Sequence, residues 1–122
     1  MMKIRVFATA ALITAIAGIS GADAHPELQS AEPAAGQPSA PPKEIRIRFN
    51  ENILPQFSGI ELKDQADKAI ATGKATIDPA DKKLMIVPLK DQLTPGEYKV
   101  EWHAVSNDTH KVKGSYWFGV AR

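Results

Sequence analysis

An acid and a histidine with the spacing of a metal site occur near the C-terminus, in the stretch Ser106-Asn107-Asp108-Thr109-His110. Side chains two residues apart point to the same side of an extended chain, with their backbones about 6.6–7 Å apart, so Asp108 and His110 can reach one ion. Two ligands are too few for a tight site, and further ligands must come from elsewhere in the chain. The alternative is structural, because an Asn-Asp-Thr loop favours hydrogen bonds between side chains and backbone.

The missing ligands are expected at the other end of the chain, where residues 1–24 have the features of a secretory signal peptide. Two basic residues precede an apolar run, and Ala22-Asp23-Ala24 forms a small-x-small cleavage site. The run is about 14 residues long, whereas a membrane-spanning helix needs about 20, so we favour a cleaved leader over a retained anchor. Cleavage after Ala24 makes His25 the first residue of a single domain, residues 25–122, and predicts a periplasmic location.

An N-terminal histidine offers two nitrogen donors, its free α-amine and its ring Nδ1, which together close a small chelate ring. With Asp108 and His110, His25 would provide three nitrogens and one oxygen, a complete equatorial plane for Cu(II), which prefers tetragonal N,O sites. Pro26 has no amide hydrogen, so the backbone cannot compete by offering a deprotonated amide nitrogen. A terminal histidine can also be an accident of cleavage. Zinc could occupy the same ligands, but copper leads the divalent affinity order.

Two further residues are weaker candidates. Glu51 follows a confident strand and could act as an outer-shell acceptor near the metal, although a solvated carboxylate at a strand end fits the spacing equally well. His103 alternates outward beside Glu101, and we interpret it as a solvated strand histidine.

Charge and composition exclude several classes of protein. Removing the leader takes away Lys3, Arg5 and Asp23, which leaves equal numbers of acidic and basic residues. We therefore expect no nucleic-acid partner, because such partners demand a basic surplus. The chain has no cysteine, so neither a disulfide framework nor a thiolate metal site is available. A mature domain of this size must be held by its apolar core alone.

The hydrophobic pattern predicts an all-β domain. Residues 30–42 carry four prolines and predict an irregular segment. Strict alternation in 44–49 and in 98–102 predicts strands with Ile45, Val100 and Trp102 among the inward residues. About seven short strands separated by turns indicate a β-sandwich. The other expected strands are 57–62, 84–89 and 112–120, with one or two weak strands within 68–77.

The chain resembles the CopC-type periplasmic copper-binding proteins over nearly all of residues 25–122. The most specific match is Val105-Ser106-Asn107-Asp108-Thr109-His110 followed by Gly114, Tyr116 and Phe118, taken together with the processed His25. The remaining matching pieces are Ser30-Ala31-Glu32-Pro33-Ala34, Ile47-Arg48-Phe49-Asn50-Glu51, Phe57-Ser58-Gly59 and Pro95-Gly96-Glu97-Tyr98 with Val100 and Trp102.

The resemblance implies a seven-stranded Greek-key sandwich or barrel of immunoglobulin or cupredoxin-like type. It implies Cu(II) bound by His25, Asp108 and His110, with Glu51 at the position of the family's strand-end glutamate. It also implies a copper-homeostasis role and a CopD-type inner-membrane partner, and we expect a monomer. Some members add a Cu(I) site in a methionine-rich loop. Only Met85 remains in the mature chain, in an apolar strand, so we expect no Cu(I) site and no transfer between two copper sites.

Two other functions are consistent with parts of this sequence. Polysaccharide monooxygenases also chelate copper with an N-terminal histidine, but here Asp108 would fill an equatorial position that those enzymes leave open for oxygen. The chain is also short and lacks an extended aromatic surface for a polymer. We therefore expect a binding protein and not an enzyme. A metal-free sandwich that serves as an adaptor of a membrane protein is the second alternative.

Overall fold

Two antiparallel four-stranded sheets make up the part of the chain, residues 26–122, that the computed structural model describes. The strand order is β1-β2-β6-β5 in the first sheet and β4-β3-β7-β8 in the second, so the chain crosses between the sheets after β2, β4 and β6. Within these residues no helix has the length and apolar character needed to cross a membrane. The strands are β1 (Leu28–Glu32), β2 (Glu44–Phe49), β3 (Gly59–Asp64), β4 (Ala69–Ile70), β5 (Thr76–Asp78), β6 (Asp81–Pro88), β7 (Gly96–Val105) and β8 (Lys111–Val120).

The core lies between the two sheets and is built by the inward residues of the alternating strands. The Phe49 ring is fully buried and meets the Trp102 ring edge-on across the interface, with ring centroids 5.3 Å apart. Tyr98 stacks on Phe118 at 5.7 Å between centroids. The first contact joins the two sheets, and the second joins neighbouring strands of the second sheet. Burying a side chain of this size contributes roughly 1.5–3 kcal/mol, so an apolar core of this kind stabilises the sandwich without disulfides.

Strands β7 and β8 form the long hairpin that carries the candidate ligands. Their register runs without interruption from the pair Gly96 and Val120 to the pair Val105 and Lys111. The loop between them, residues 106–110, therefore has a fixed base at one end of the sandwich.

The all-β sandwich prediction is confirmed, with eight strands in place of seven. The additional strand is β1, whose last residues fall in the segment that we expected to be irregular. Its pairing with β2 shifts between Leu28 and Ser30, which breaks the alternation that would reveal a strand in the sequence. Pro33, which cannot donate to a ladder, follows the last residue of β1.

The start of β3 also differs from the prediction. Phe57 does not begin β3; it ends a short 3₁₀ turn, Pro55–Phe57, and its ring is 58% exposed. Ile60 and Leu62 of β3 do point inward as predicted. Pro88 ends β6, a central strand, in agreement with the expectation of a sheet edge or a strand end.

Candidate metal centre

The loop that holds Asp108 and His110 is a tight hairpin connection. The Ser106 amide donates to the His110 carbonyl at 3.0 Å, and the Thr109 amide donates to the Ser106 carbonyl at 2.9 Å. Thr109 has a φ of 70°, in the left-handed region. A turn followed by one left-handed residue is the common form of a three-residue hairpin loop.

This loop brings the two candidate ligands into direct contact. The Asp108 Oδ2 and His110 Nδ1 atoms lie 3.3 Å apart. The expectation of an extended chain, with the two side chains on one face, is wrong at this point. The left-handed residue between them curls the backbone, and the side chains converge because of the turn. The Asp108 and His110 side chains are 47% and 44% exposed, so an ion can reach them from solvent.

A buried serine fixes the carboxylate of Asp108. Ser106 is fully buried, and its hydroxyl donates a short hydrogen bond to the Asp108 Oδ1 atom. This bond, with a smaller contribution from the nearby His110 ring, holds the pKa of the Asp108 carboxyl below its usual range. Asp108 is therefore ionised at any pH near neutrality, with Oδ2 turned toward His110.

Ser106 was not assigned a role from the sequence, although it belongs to the stretch that drew attention. The available signal was its position at the end of an alternating strand, two residues before an aspartate, where serine hydroxyls commonly bond to nearby groups.

The left-handed conformation of Thr109 is costly, since a β-branched residue at positive φ is an outlier and such residues cost of order ~1–3 kcal/mol. Asparagine tolerates this region much better. We expect Thr109→Asn to raise the free energy of unfolding of the metal-free protein by about 1 kcal/mol, which urea unfolding would measure. Thr109→Val keeps the branched Cβ and should give no gain. If the Thr109→Asn protein were less stable than the parent, the left-handed conformation of Thr109 would not be a source of strain.

A second segment of the chain holds the loop from the side. Ile53 forms a bridge with Ser106, and the Asn107 amide donates to the Asn52 carbonyl at 3.3 Å. Glu51 precedes Asn52 directly and is partly buried. Glu51 is therefore brought to the same end of the sandwich as the loop.

The first described residues are tied to this same segment. The Glu27 amide donates to the Asn50 side chain at 2.7 Å, and the Asn50 amide donates to the Glu27 carbonyl at 3.0 Å. Pro26 is fully buried. His25, the sequence-predicted terminal ligand, lies outside the described residues.

His103, the remaining histidine among the described residues, is exposed on β7, opposite Lys113 of β8. Its ring lies against Gly59, where an added Cβ would come within 3.1 Å of it. From residue 26 onward, no group of three or more acidic or histidine side chains is arranged to hold a metal ion. The described part of the chain thus offers the pair Asp108 and His110, half of the proposed ligand set.

Comparison with known proteins identifies the family. The CopC domain model matches residues 28–121. The chain is 38% identical to copper resistance protein C of Pseudomonas syringae pv. tomato, over 96% of this chain and 93% of that protein. It is 43% identical to protein YobA of Escherichia coli (strain K12), over 80% of this chain and 79% of that protein.

The fold has a matching relative among solved structures. The crystal structure of PcoC, a methionine-rich copper resistance protein from Escherichia coli, aligns with a TM-score of 0.73 and 38% identity, and covers 80% of this chain and 99% of PcoC. The sequence matches and the shared sandwich agree with the resemblance drawn from the loop motif. This chain belongs to the CopC family.

Proposed function

We propose that the chain is exported to the periplasm, that cleavage after Ala24 makes His25 its first residue, and that the mature protein binds one Cu(II) ion. The ligands would be the amine and imidazole of His25, the carboxylate of Asp108 and the imidazole of His110. The copper is cargo, held for sequestration, delivery or resistance, and no catalytic step is required. The names of the relatives, copper resistance protein C and PcoC, support copper as the ion.

The observation that carries this proposal is the contact between Asp108 and His110. Two donors at right angles on one ion, each with a bond of about 2.0 Å, lie about 2.8 Å apart. The Oδ2 and Nδ1 atoms are 3.3 Å apart, so a small rotation of either side chain gives that spacing. The carboxylate is already ionised through Ser106 and needs no proton removed before it binds.

The reach of the chain supports His25 as the third residue of the site. His25 is two residues before Glu27, so its backbone lies within about 7 Å of Glu27 in any conformation. Glu27 is bonded to Asn50, and Asn52 is bonded to Asn107 of the loop. These two hydrogen-bonded links connect the start of the described chain to the metal loop through residues 50–52, which supports His25 as a ligand.

Glu51 lies between those two tethering asparagines. We assign it an outer role, in which its carboxylate accepts a hydrogen bond from a ligand or from the His25 amine. Outer partners of this kind orient metal ligands and typically cost 10–100-fold in affinity when they are removed.

The methionine content of the chain favours Cu(II) over Cu(I) as the bound ion. Met85 is fully buried in the core between the sheets, where it packs as an apolar side chain. Soft Cu(I) prefers thioether ligands. PcoC is described as methionine-rich, whereas Met85 is the one methionine after Ala24 in this sequence. We therefore propose Cu(II) alone, held by a monomer that hands it to a CopD-type inner-membrane protein.

We expect the affinity for Cu(II) to fall steeply as the pH falls below neutrality. A metal binds only the deprotonated form of a nitrogen ligand, and an α-amine has an ordinary pKa near 7.7–8.0. Proton competition at this amine alone should lower the affinity about 100-fold between pH 7 and pH 5. The depressed pKa of Asp108 keeps its carboxylate out of this titration.

Copper titration against a competing chelator at a series of pH values tests this expectation. Acetylation of the His25 amine removes this proton competition and should make the dependence on pH shallower. An affinity that stays flat between pH 5 and pH 8 would contradict the proposed ligands.

A further inference from the structure

An open groove of about 690 Å³ lies beside the metal loop, on the solvent face of the second sheet. We call it the loop-end groove. Thr109 of the metal loop forms part of its wall. The residues that define it are Leu54, Phe57, Val105, Lys111, Val112 and Lys113.

Apolar side chains form the body of this groove. Phe57 at its edge is 58% exposed, although phenylalanine is among the residue types most often buried in folded proteins. The short turn Pro55–Phe57 holds that ring outside the sandwich, since the hydroxyl and amide of Ser58 bond back to the Leu54 and Pro55 carbonyls. A concave apolar surface of this volume is within the size range of binding pockets.

Lysines give the groove a single sign of charge. Lys111 and Lys113 are exposed, and neither makes an ion pair with the residues that the structure describes. No carboxylate of the described chain lines the groove, whereas the mature protein as a whole has equal numbers of acids and bases. Farther along the same face, Glu101 is held by Lys63 and Lys99 at 3.1 and 3.0 Å. Among the described residues, the groove wall thus carries two lysines and no acidic side chain, so its charge is positive.

The spacing of the two lysines indicates the shape of the ligand. Lys111 and Lys113 are alternate residues of β8, so they project from one face about 6.6–7 Å apart. Carboxylates at alternate positions of an extended peptide have the same spacing. An extended segment can therefore present two carboxylates to the two lysines at once.

We propose that the loop-end groove binds an extended segment of a partner protein, with an apolar side chain seated against Phe57 and Leu54 and carboxylates at alternate positions facing Lys111 and Lys113. Binding does not require copper. If the proposed copper site is also correct, the partner segment lies directly beside the loop that holds the ion, which suits a donor or acceptor of copper. A lipid surface fits less well, because the apolar side chains line a hollow and do not protrude together.

A peptide titration followed by NMR of the metal-free, ¹⁵N-labelled mature protein tests this inference. The probe is the acetylated peptide Gly-Leu-Phe-Ser-Glu-Ser-Glu-Ser. We expect its largest amide shifts in residues 54–57, 103–105 and 111–113. A peptide with both glutamates replaced by lysine, and one with the Leu-Phe pair replaced by serine, should each bind at least fivefold more weakly. Equal binding of the lysine peptide, or shifts elsewhere, would overturn the proposal.

Matched variants separate the groove from general charge effects. Lys113→Glu should weaken the probe peptide at least fivefold. Lys90→Glu, the same change at an exposed lysine just beyond β6 and outside the groove lining, should alter it less than twofold. Phe57→Ser should weaken the peptide without unfolding the protein, since the ring is exposed.

Two other results would assign the groove to another occupant. Shifts of the groove amides when the protein alone is concentrated would identify a second copy and overturn a partner segment. Binding to phosphatidylglycerol vesicles that Lys113→Glu abolishes, with no response to the peptide, would identify a membrane surface and overturn it as well. Because the protein is metal-free in each experiment, these outcomes do not depend on the copper site.

Discussion

A chain acetylated on the His25 amine is expected to bind Cu(II) at least about 100-fold more weakly than the chain with a free amine at His25. Acetylation turns that amine into an amide and leaves no other terminal amine beside it to anchor the metal. The chelate ring of amine and imidazole is then lost as a unit. The loss should exceed the 10–100-fold that changes outside the ligand shell typically cost.

Competition titration of the two chains against a Cu(II) chelator measures this difference. The matched control is the chain with a free His25 amine and an amidated Arg122, a change at the other terminus, and it should bind like the parent. Pro26 sharpens the comparison, because it offers no amide nitrogen to replace the lost amine. Equal affinity of the acetylated chain and the parent would exclude the amine as a ligand. The unprocessed precursor should behave like the acetylated chain, which would make leader cleavage the step that creates the site.

His110→Ala is expected to lower the affinity for Cu(II) by more than about 100-fold, beyond the usual cost of outer-shell changes. In the proposed site His110 supplies one of three nitrogen donors, and the Asp108 carboxylate lies 3.3 Å from its ring. His103→Ala is the matched control. It removes an exposed histidine from the same hairpin, and we expect less than about a threefold change, small beside any outer-shell effect.

Isothermal titration or chelator competition gives both affinities, and thermal unfolding of the metal-free proteins checks that neither variant is misfolded. Because the His110 side chain is 44% exposed, its removal should cost little stability. If His103→Ala lowered the affinity for Cu(II) as much as His110→Ala, His103 would also be a ligand, and the proposed ligand set would be wrong. Asp108→Asn completes the series, since it keeps the shape of the side chain while removing its charge.

The sheets were largely predictable because alternation in a strand directly reports which face is buried. In β2 the residues Ile45, Ile47 and Phe49 are fully buried, as their spacing indicated. In β7 the same holds for Val100, while Trp102 lies at the border of the core against Phe49. Strand β1 could not be predicted in this way. It is an edge strand with a register shift, and its pairing with β2 decides its conformation more than its own sequence does.

The candidate ligands were identifiable from residue type and spacing, but their geometry was not. Asp108 and His110 meet because Thr109 adopts a left-handed conformation that a threonine rarely takes. No local rule places that conformation at a threonine. The hydrogen bonds that hold the loop could not be predicted either, because Asn50 and Asn52 bond to residues far away in sequence. His25 lies outside the described residues, and its role stays a prediction.

One measurement addresses the central claim, that the processed N-terminus and the hairpin loop hold the same ion. The chain contains three histidines, so His103→Ala leaves only His25 and His110. Pulsed electron paramagnetic resonance of this variant, processed to begin at His25 and loaded with one equivalent of Cu(II), counts the imidazoles on the metal. We predict a tetragonal spectrum with modulation from two imidazoles. Modulation from a single imidazole would contradict the account, because the two ends of the chain would then not share the copper.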